Sequence, residues 1–251
     1  MEIITSNKNN IVLKTIDIKN NKEDGLFVEG IKLLKEAILS GYNIKYCLIE
    51  QDHLDKTLEQ VPELNDIKYY VVSNSVLQKV SDTKTPQGIV SIVDFGLEHN
   101  SQILGNFIVL DCLQDPGNLG TIIRSACGTS FNSIVLIGGV SPLSQKVVRS
   151  SMGGIFKVQF YYFATQDDFL EYAKENDLSF YCATMEGENV FEFSAPKQNY
   201  GFVIGNEGAG VSGILKANCK GLLSIPMKNN LESLNAGVSA SIMMYVLDNK
   251  L

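Results

Sequence analysis

Three short polar segments in the C-terminal half carry the residue types that could do chemistry. They are residues 115–120 (DPGNLG) with Arg124, residues 205–210 (GNEGAG), and residues 225–227 (IPM) with 233–235 (SLN). Each follows an apolar, strand-like run and leads into a turn or the start of a helix. In α/β sheets ligands bind beyond the strand ends, because the loops there carry the polar groups. The order and spacing therefore predict that the three segments form one site.

The candidate catalytic side chains are an arginine, a carboxylate and three small polar residues: Arg124, Glu207, Asn118, Ser233 and Asn235. The asparagines and the serine stand at helix starts, where they could serve as caps and nothing more. Arg124 falls off the apolar stripe of its helix, so it faces solvent or a partner. Three segments with spare polar side chains favour one convergent site over three independent caps.

Arginine is rare in this chain. Arg124 and Arg149 are the two arginines, beside nineteen lysines. Where lysine is the usual cation, arginine indicates a position that needs a planar, permanently charged fork.

A dinucleotide site is the main competing interpretation of the second segment. Residues 208–213 (GAGVSG) match G-x-G-x-x-G after a strand, and Glu232 follows about 20 residues later. A dinucleotide fold must continue with further βα units, whereas the residues after Gly213 supply one strand and one helix. A nicotinamide enzyme therefore remains an alternative that a titration with NAD and S-adenosylmethionine would separate.

Size and composition predict a protein with a sizeable core. The chain has 251 residues, 45% of them hydrophobic and 20% charged, which suits one large or two ordinary domains. A net charge of −7 argues against non-specific coating of nucleic acid, although it allows a local basic groove. No apolar run approaches a membrane span, and the N-terminus does not resemble a signal peptide.

The cysteines and histidines predict neither a metal site nor disulfides. No C-x-x-C pattern occurs, and we expect buried thiols in a reducing cytoplasm. His53 and His99 lie outside the three segments, so we expect both to be solvated. The five cysteines are Cys47, Cys112, Cys127, Cys182 and Cys219.

Strand and helix patterns alternate in both halves, which predicts an α/β fold with two domains. Residues 1–95 form the first domain, with parallel strand pairing expected, and the polar, glycine-broken stretch 96–106 is the expected linker. Residues 107–251 form the second domain. There we expect a helix from Asn118 to about Thr129, another over 142–152 and a last helix from Asn235 to about Leu247.

That last helix is apolar on nearly every face, with small residues in its first turns. Such a helix is buried on more than one side. We therefore expect a homodimer whose interface uses this helix together with the one that begins near Asn118. The alternative is that the helix is buried wholly within its own chain.

At these residues the chain resembles the SpoU/TrmH family of RNA ribose 2′-O-methyltransferases, in the SPOUT superfamily. Residues 115–126 match the family's first motif, 205–208 with Gly210 the second, and 225–227 with 233–235 the third. Residues 149–153 are similar to a further family stretch.

The N-terminal part resembles the ribosomal-protein-like RNA-binding module often joined to these enzymes, through residues 27–30 (FVEG) and 85–88 (TPQG). Two departures stand out. Residues 20–24 (NNKED) replace a run that is often basic in relatives, and Ala236-Gly237 replaces the usual Val-Ser.

The resemblance implies an α/β-knot domain with a deep trefoil knot, a homodimer and S-adenosylmethionine as cofactor, without a metal. The resemblance suggests Arg124 as the base, helped by an RNA phosphate. Because a guanidinium hardly loses its proton in proteins, we expect Arg124 to orient the ribose and phosphate and to stabilise the developing charge instead. Asn118, Ser233 and Asn235 would position substrate and loops, and Glu207 would order the site and contact substrate. The residues that would hold the cofactor are Thr184, Gly205, Asn206, Ile225, Met227 and Leu234.

The expected function is methylation of a ribose 2′-hydroxyl in structured RNA. A separate N-terminal module favours 23S rRNA over tRNA. The alternatives are a tRNA 2′-O-methyltransferase and a non-catalytic RNA-binding or ribosome assembly factor. The presence of Arg124, Glu207 and Asn235 argues against the non-catalytic alternative.

Overall fold

The computed structural model describes residues 2–96, 102–197, 199–229 and 231–249. The chain divides into two compact units. The first comprises residues 1–96 with 143–149, and the second 97–142 with 150–251. Residues 97–101 of the expected linker, which include His99, lie outside the described residues.

The N-terminal unit is built on a five-stranded sheet with the order β1-β4-β3-β5-β2. Strand β1 is parallel to β4 and β4 to β3, whereas β5 runs antiparallel to both β3 and β2. The elements are β1 (Ile3–Ile4), α1 (Asn10–Lys19), β2 (Leu26–Glu29), α2 (Ile31–Leu39), β3 (Ile44–Glu50), α3 (Leu54–Gln60), β4 (Tyr69–Val72), α4 (Asn74–Val80) and β5 (Ile89–Val93).

Parallel pairing was expected throughout this unit. That expectation is wrong for the two pairs that involve β5, which are β2–β5 and β3–β5. The chain re-enters at the edge it left, since Glu50 N donates to Gly88 O at 2.9 Å where β3 ends and β5 begins. β5 must therefore run back against β3.

The C-terminal unit is built on a six-stranded, wholly parallel sheet with the order β11-β9-β10-β6-β7-β8. Strands β6, β7 and β10 are buried along their whole length, as expected of central parallel strands. The elements are β6 (Phe107–Asp111), α5 (Pro116–Ala126), β7 (Ser133–Ile137), α6 (Gln145–Ser150), β8 (Gln159–Phe163), α7 (Gln166–Glu175), β9 (Ser179–Asn189), β10 (Tyr200–Ile204), α8 (Gly213–Asn218), β11 (Leu222–Ser224) and α9 (Ala236–Asp248).

Helix α5 begins earlier than predicted, and its N-cap is Asp115 rather than Asn118. The Asp115 carboxylate accepts from Asn118 N at 2.8 Å. Pro116 occupies the first helical position, where its missing N–H removes no hydrogen bond and its fixed φ suits the helix. The Asn118 side chain is therefore free for another contact.

Helix α6 is shorter than the predicted 142–152. Its end is followed by Met152 with φ of 53° and Gly153 with φ of 90°, and the left-handed region cannot continue an α-helix. A short 3-10 turn over Gly154–Phe156 follows.

Helix α9 matches the predicted span, and Asn235 is its N-cap. Within one chain it is not buried on every face. Gly237, Ala240, Met243, Met244 and Leu247 are buried, whereas Val238 and Tyr245 are 43% and 49% exposed. In the part of the chain that the structure describes, no helix combines the length and apolarity needed to cross a bilayer.

Candidate active site

The site lies at the carboxyl edge of four neighbouring parallel strands, β11, β9, β10 and β6. The first segment follows β6, the second follows β10 at Ile204, and the third follows β11 at Ser224. Because parallel strands end at the same edge, the three segments share one rim, as the sequence predicts.

Glu207 connects the first two segments. Its carboxylate accepts from Asp115 N at 2.9 Å, from Gln114 N at 3.1 Å and from the Asn118 side-chain amide at 2.9 Å. Burial raises the pKa of this carboxyl, but the hydrogen bonds from Asp115, Asn118 and Gln114 outweigh it, and the pKa lies below its ordinary value. Glu207 is therefore a carboxylate that fixes the turn leading into α5.

Asn118 is the buried member of this arrangement, at 6% exposure. Its backbone N–H is used by Asp115 and its side-chain amide by Glu207. The sequence suggested that the Asn118 side chain could bind more than its own helix. In this structure its amide binds Glu207 and so connects the second segment to the first.

The loop of the second segment is closed on itself. Asn206 and Gly210 exchange two backbone hydrogen bonds, and the Asn206 side-chain oxygen accepts from Gly208 N and Ala209 N at 2.9 and 3.1 Å. Its amide donates to Cys112 O at 3.0 Å. A Cβ at Gly205 would lie 2.1 Å from backbone atoms of Gly210 and Val211, so no other residue fits there. Backbone groups, not side chains, therefore face the rim at this point.

The third segment reaches the first through the start of α9. The Asn235 side chain accepts from Gly237 N at 3.0 Å and Val238 N at 3.2 Å. A Cβ at Gly237 would be 3.3 Å from both Asn118 Cα and the Asn235 side-chain oxygen. Glycine thus allows the first turns of α9 and α5 to approach closely, and Ser125 and Ser241 bridge the two helices at 2.7 Å.

Arg124 lies on the exposed face of α5, as predicted. Two turns of helix separate it from the Glu207-bound N-terminus. Within the described residues its guanidinium makes no hydrogen bond or ion pair. Its five donors are therefore available to a ligand.

Among the described residues, no side-chain hydrogen bond ties four of the predicted site residues to the others. Ile225 and Met227 are half-buried, Leu234 is half-buried and Ser233 is exposed. They lie on residues 225–235, between β11 and α9. They lie next to the rim because they directly follow β11, whose carboxyl end is part of it.

Thr184 lies on β9, where the pairing with β11 is irregular. Leu222 pairs with Cys182, but Leu223 pairs with Glu188, so Thr184 falls in the skipped stretch. Its hydroxyl donates to Glu186 O. This places Thr184 beside the rim and leaves its backbone outside the regular ladder.

Sequence reasoning missed Asp111, the last residue of β6. It is 2% exposed, and its two oxygens accept from Ser212 N and the Gln166 side-chain amide, each at 2.7 Å. It thereby anchors the end of the 205–212 loop to β6. The sequence does contain a signal that could have identified it, namely an aspartate at the end of an otherwise apolar strand.

The expectation that the cysteines are buried is correct for two of the five. All five are free thiols, but Cys127 is exposed and Cys112 and Cys219 are half-buried, so only two are buried as expected. Cys127 begins the turn after α5, where the chain reaches the surface. His53 is partly exposed and paired with Glu50 at 2.9 Å. No group of three or more potential metal ligands occurs among the described residues.

Residues 105–245 match the model of the SpoU rRNA methylase family, which is more than half of the chain. The chain belongs to the SpoU rRNA methylase family. It is therefore an RNA methyltransferase by family, and the match contains all three segments of the rim. Residues 17–91 match a second model, the MRM3-like substrate binding domain.

Individual relatives agree with this family assignment. The 23S rRNA (guanosine(2553)-2′-O)-methyltransferase RlmP of Bacillus subtilis is 27% identical over 231 residues, covering 91% of this chain and 90% of that protein. A TrmH-family protein of known structure from Porphyromonas gingivalis has a TM-score of 0.86 at 26% identity, with 100% of both chains covered.

The fold of this SpoU-family chain also matches an AdoMet-bound rRNA methyltransferase from Sinorhizobium meliloti. The TM-score is 0.85 at 24% identity, covering 100% of this chain and 98% of that one. The match therefore extends over both units of this chain.

Proposed function

We propose that this protein transfers the methyl group of S-adenosylmethionine to a ribose 2′-hydroxyl of 23S rRNA. The observation that carries the proposal is Arg124, an unpaired arginine on α5, the helix whose first turn Glu207 fixes to the loop after β10. S-adenosylmethionine is the methyl donor, in keeping with the family and with AdoMet-bound structural relatives.

The reaction is a displacement at the methyl carbon. The 2′-oxygen forms a bond to carbon as the carbon–sulfur bond breaks, and the 2′-hydroxyl proton must leave as charge develops on oxygen. The sulfonium already supplies an activated carbon, so the protein needs to orient the hydroxyl and stabilise the developing charge.

Arg124 is suited to that role and poorly suited to be a base. A guanidinium does not lose its proton in proteins. Its planar donors can hold the ribose and an adjacent phosphate and stabilise alkoxide character, while the phosphate or water receives the proton. Asn118, Ser233 and Asn235 would position the substrate and the loops around it.

The cofactor would lie on the rim formed by Thr184, Gly205, Asn206, Ile225, Met227 and Leu234. The close approach at Gly205 presents backbone groups there, which suits recognition of a ligand by main-chain hydrogen bonds. We propose that residues 205–235 are threaded as the family's trefoil knot, which would hold these loops rigidly in place.

The active assembly would be a homodimer. Val238 and Tyr245 expose apolar surface on α9, which packs on α5, the helix of Arg124. A second copy that covers this face would place one subunit's Arg124 near a cofactor rim of the pair. An rRNA substrate also implies that the protein works in the cytoplasm.

The choice of 23S rRNA is supported by the Bacillus subtilis relative, which is named a 23S rRNA 2′-O-methyltransferase and spans nearly the whole chain. Several staphylococcal relatives are named for tRNA or rRNA without distinction, so a tRNA substrate is the second candidate. Mapping ribose methylation in total RNA from a deletion strain tests both. Loss of one methylated ribose in 23S rRNA supports the proposal, and loss confined to a tRNA replaces its substrate.

A further inference from the structure

The N-terminal unit carries a group of cations around one loop, although its charge is negative overall. Residues 1–96 and 143–149 together contain thirteen lysines and arginines and fourteen acidic residues. Lys19, Lys79, Lys84 and Arg149 nevertheless lie in or around residues 81–85. We call this group the loop cluster.

Glu29 holds the loop from inside the unit. It is 9% exposed, and its carboxylate accepts from Asp82 N at 3.1 Å, from Thr83 N at 3.3 Å and from the Thr83 hydroxyl. Lys19 fixes the start of the loop by donating to Val80 O at 2.7 Å. The loop is therefore ordered before any ligand binds, which lowers the entropic cost of binding.

Asp82 is neutralised by Arg149. The two side chains form a direct ion pair, and they are 33% and 41% exposed respectively. An ion pair this exposed contributes about 0–1 kcal/mol to stability. The larger effect of the pair is that the Asp82 carboxylate is already bound by Arg149. It is therefore not available to pair with Lys79 or Lys84.

Lys79 and Lys84 are exposed, and within the described residues neither forms a hydrogen bond or an ion pair. Burial lowers the pKa of Lys19; Asp82 and Glu29 oppose this shift, and Lys79 adds a smaller lowering. Two unpaired lysines in and beside a loop whose acidic side chain is already engaged form a surface that favours an anion with several charges.

Residues 20–24 do not provide such a surface. Lys22 is paired with Asp17 at 3.9 Å, and Glu23 with Lys14 at 3.7 Å. The acidic and basic charges of this turn therefore offset one another. Of these two regions of the unit, the loop cluster is the one whose lysine side chains are not paired with acidic side chains.

We propose that the loop cluster binds the phosphate backbone of the RNA substrate, with Lys79 and Lys84 as the principal contacts and Glu29 and Arg149 as positioning residues. The proposal rests on the proposed function for the identity of the partner. RNA fits because it carries a row of phosphates, which can contact several lysine side chains at once. A single small anion cannot do so.

The test uses the full-length protein and 23S rRNA transcribed in vitro as the probe. Lys79→Glu with Lys84→Glu is compared with Lys35→Glu and Lys56→Glu, which make the same charge change at exposed positions of α2 and α3. Binding is measured from 50 to 300 mM salt. We expect the first pair to weaken binding at least tenfold near 150 mM and to reduce the salt slope by about 1.5. We expect the control pair to change the dissociation constant less than twofold.

A charge swap tests the positioning role of Arg149. Arg149→Asp should weaken RNA binding, and adding Asp82→Arg should restore most of it, because the pair is rebuilt in reverse. Thermal stability should change little in either variant. A swap that restores nothing would show that Arg149 does not act through Asp82.

The outcomes separate this proposal from the proposed function. Equal losses in both lysine pairs, or no loss in the first, would overturn the loop cluster as an RNA surface even if methyl transfer is confirmed. Conversely, a wild-type protein that binds the RNA through the cluster but transfers no methyl group would overturn the proposed function alone.

Discussion

At the scale of single residues, two charged side chains of the candidate site differ in what they bind. Glu207 accepts three hydrogen bonds, two from the first segment and one from Gln114 just before it. Arg124, on α5, makes none within the described residues. A cation that the protein leaves unpaired beside an ordered rim is available to substrate, whereas the carboxylate maintains the rim.

Replacing Arg124 tests the first of these roles. We expect Arg124→Ala to reduce the rate of methyl transfer at least 100-fold, since loss of a charge-stabilising donor typically costs 10²–10³ in rate. Arg124→Lys should fail as well, because an ammonium cannot reproduce the fork. Affinity for S-adenosylmethionine, measured by calorimetry, should stay within about twofold. Lys174→Ala, which removes an exposed cation from α7, is the control. Full activity of the lysine variant would disprove the role.

Glu207 predicts a pH dependence of stability. Its pKa lies below the ordinary 4.5, so its carboxylate stabilises the fold above pH 4.5, and this contribution is lost as pH falls through the lower, folded-state pKa. We expect Glu207→Gln to lower the free energy of unfolding by about 1 kcal/mol at pH 7, since solvent competes for these bonds.

Denaturant unfolding at pH 7 and near pH 3.5 measures this difference. It should shrink at the lower pH, because there the carboxyl is already protonated in the unfolded state, whose pKa is the ordinary 4.5. Glu171→Gln, on the exposed face of α7, should change stability little at either pH. A difference between wild type and Glu207→Gln that grows as the pH falls would contradict the assigned charge state.

At the scale of elements, the loop after β10 is defined by its glycines. Gly205 leaves no space for a Cβ, which would meet backbone at 2.1 Å, whereas a Cβ at Gly213 would meet nothing within 4 Å. The two glycines flank the same loop and differ in this one respect. They therefore form a matched pair for testing whether the loop holds the cofactor.

We expect Gly205→Ala to displace the loop and weaken S-adenosylmethionine binding at least tenfold, with a lower melting temperature. Gly213→Ala should bind normally and be equally or more stable, because alanine at a compatible position gains about 0.4–1 kcal/mol. Leu234→Arg should weaken cofactor binding as Gly205→Ala does, through the third segment. Calorimetry on folded protein decides, and unchanged affinity in both Gly205→Ala and Leu234→Arg would remove the cofactor from this rim.

The sequence predicts these elements well where a local pattern determines them. The apolar runs of β6, β7 and β10 and the uniform apolarity of α9 are read directly from residue order, and so are the polar segments at the strand ends. Asp115 as N-cap was missed because Asn118 is also a good cap, and the choice depends on Glu207, about 90 residues away. The direction of β5 depends on which edge of the sheet the chain re-enters after α4. Neither is a local property.

At the scale of the whole molecule, the exposed face of α9 predicts self-association. We expect Val238→Glu to shift a dimer to monomer at micromolar concentration, because it would bury an unpaired charge at the interface. Leu39→Glu is the control, since Leu39 is 80% exposed on α2 of the N-terminal unit. Light scattering measures the mass. Methyl transfer should fall together with the dimer, and a monomeric variant with full activity would show that one chain completes the site.

The measurement that tests the central claim most directly is methyl transfer from labelled S-adenosylmethionine to 23S rRNA by the purified protein, followed by nuclease digestion to nucleosides. We expect the label on a ribose 2′-oxygen, in the wild type and in Lys174→Ala but not in Arg124→Ala. Label on a nucleobase, or no transfer to any RNA by folded protein that binds the cofactor, would contradict the proposed function.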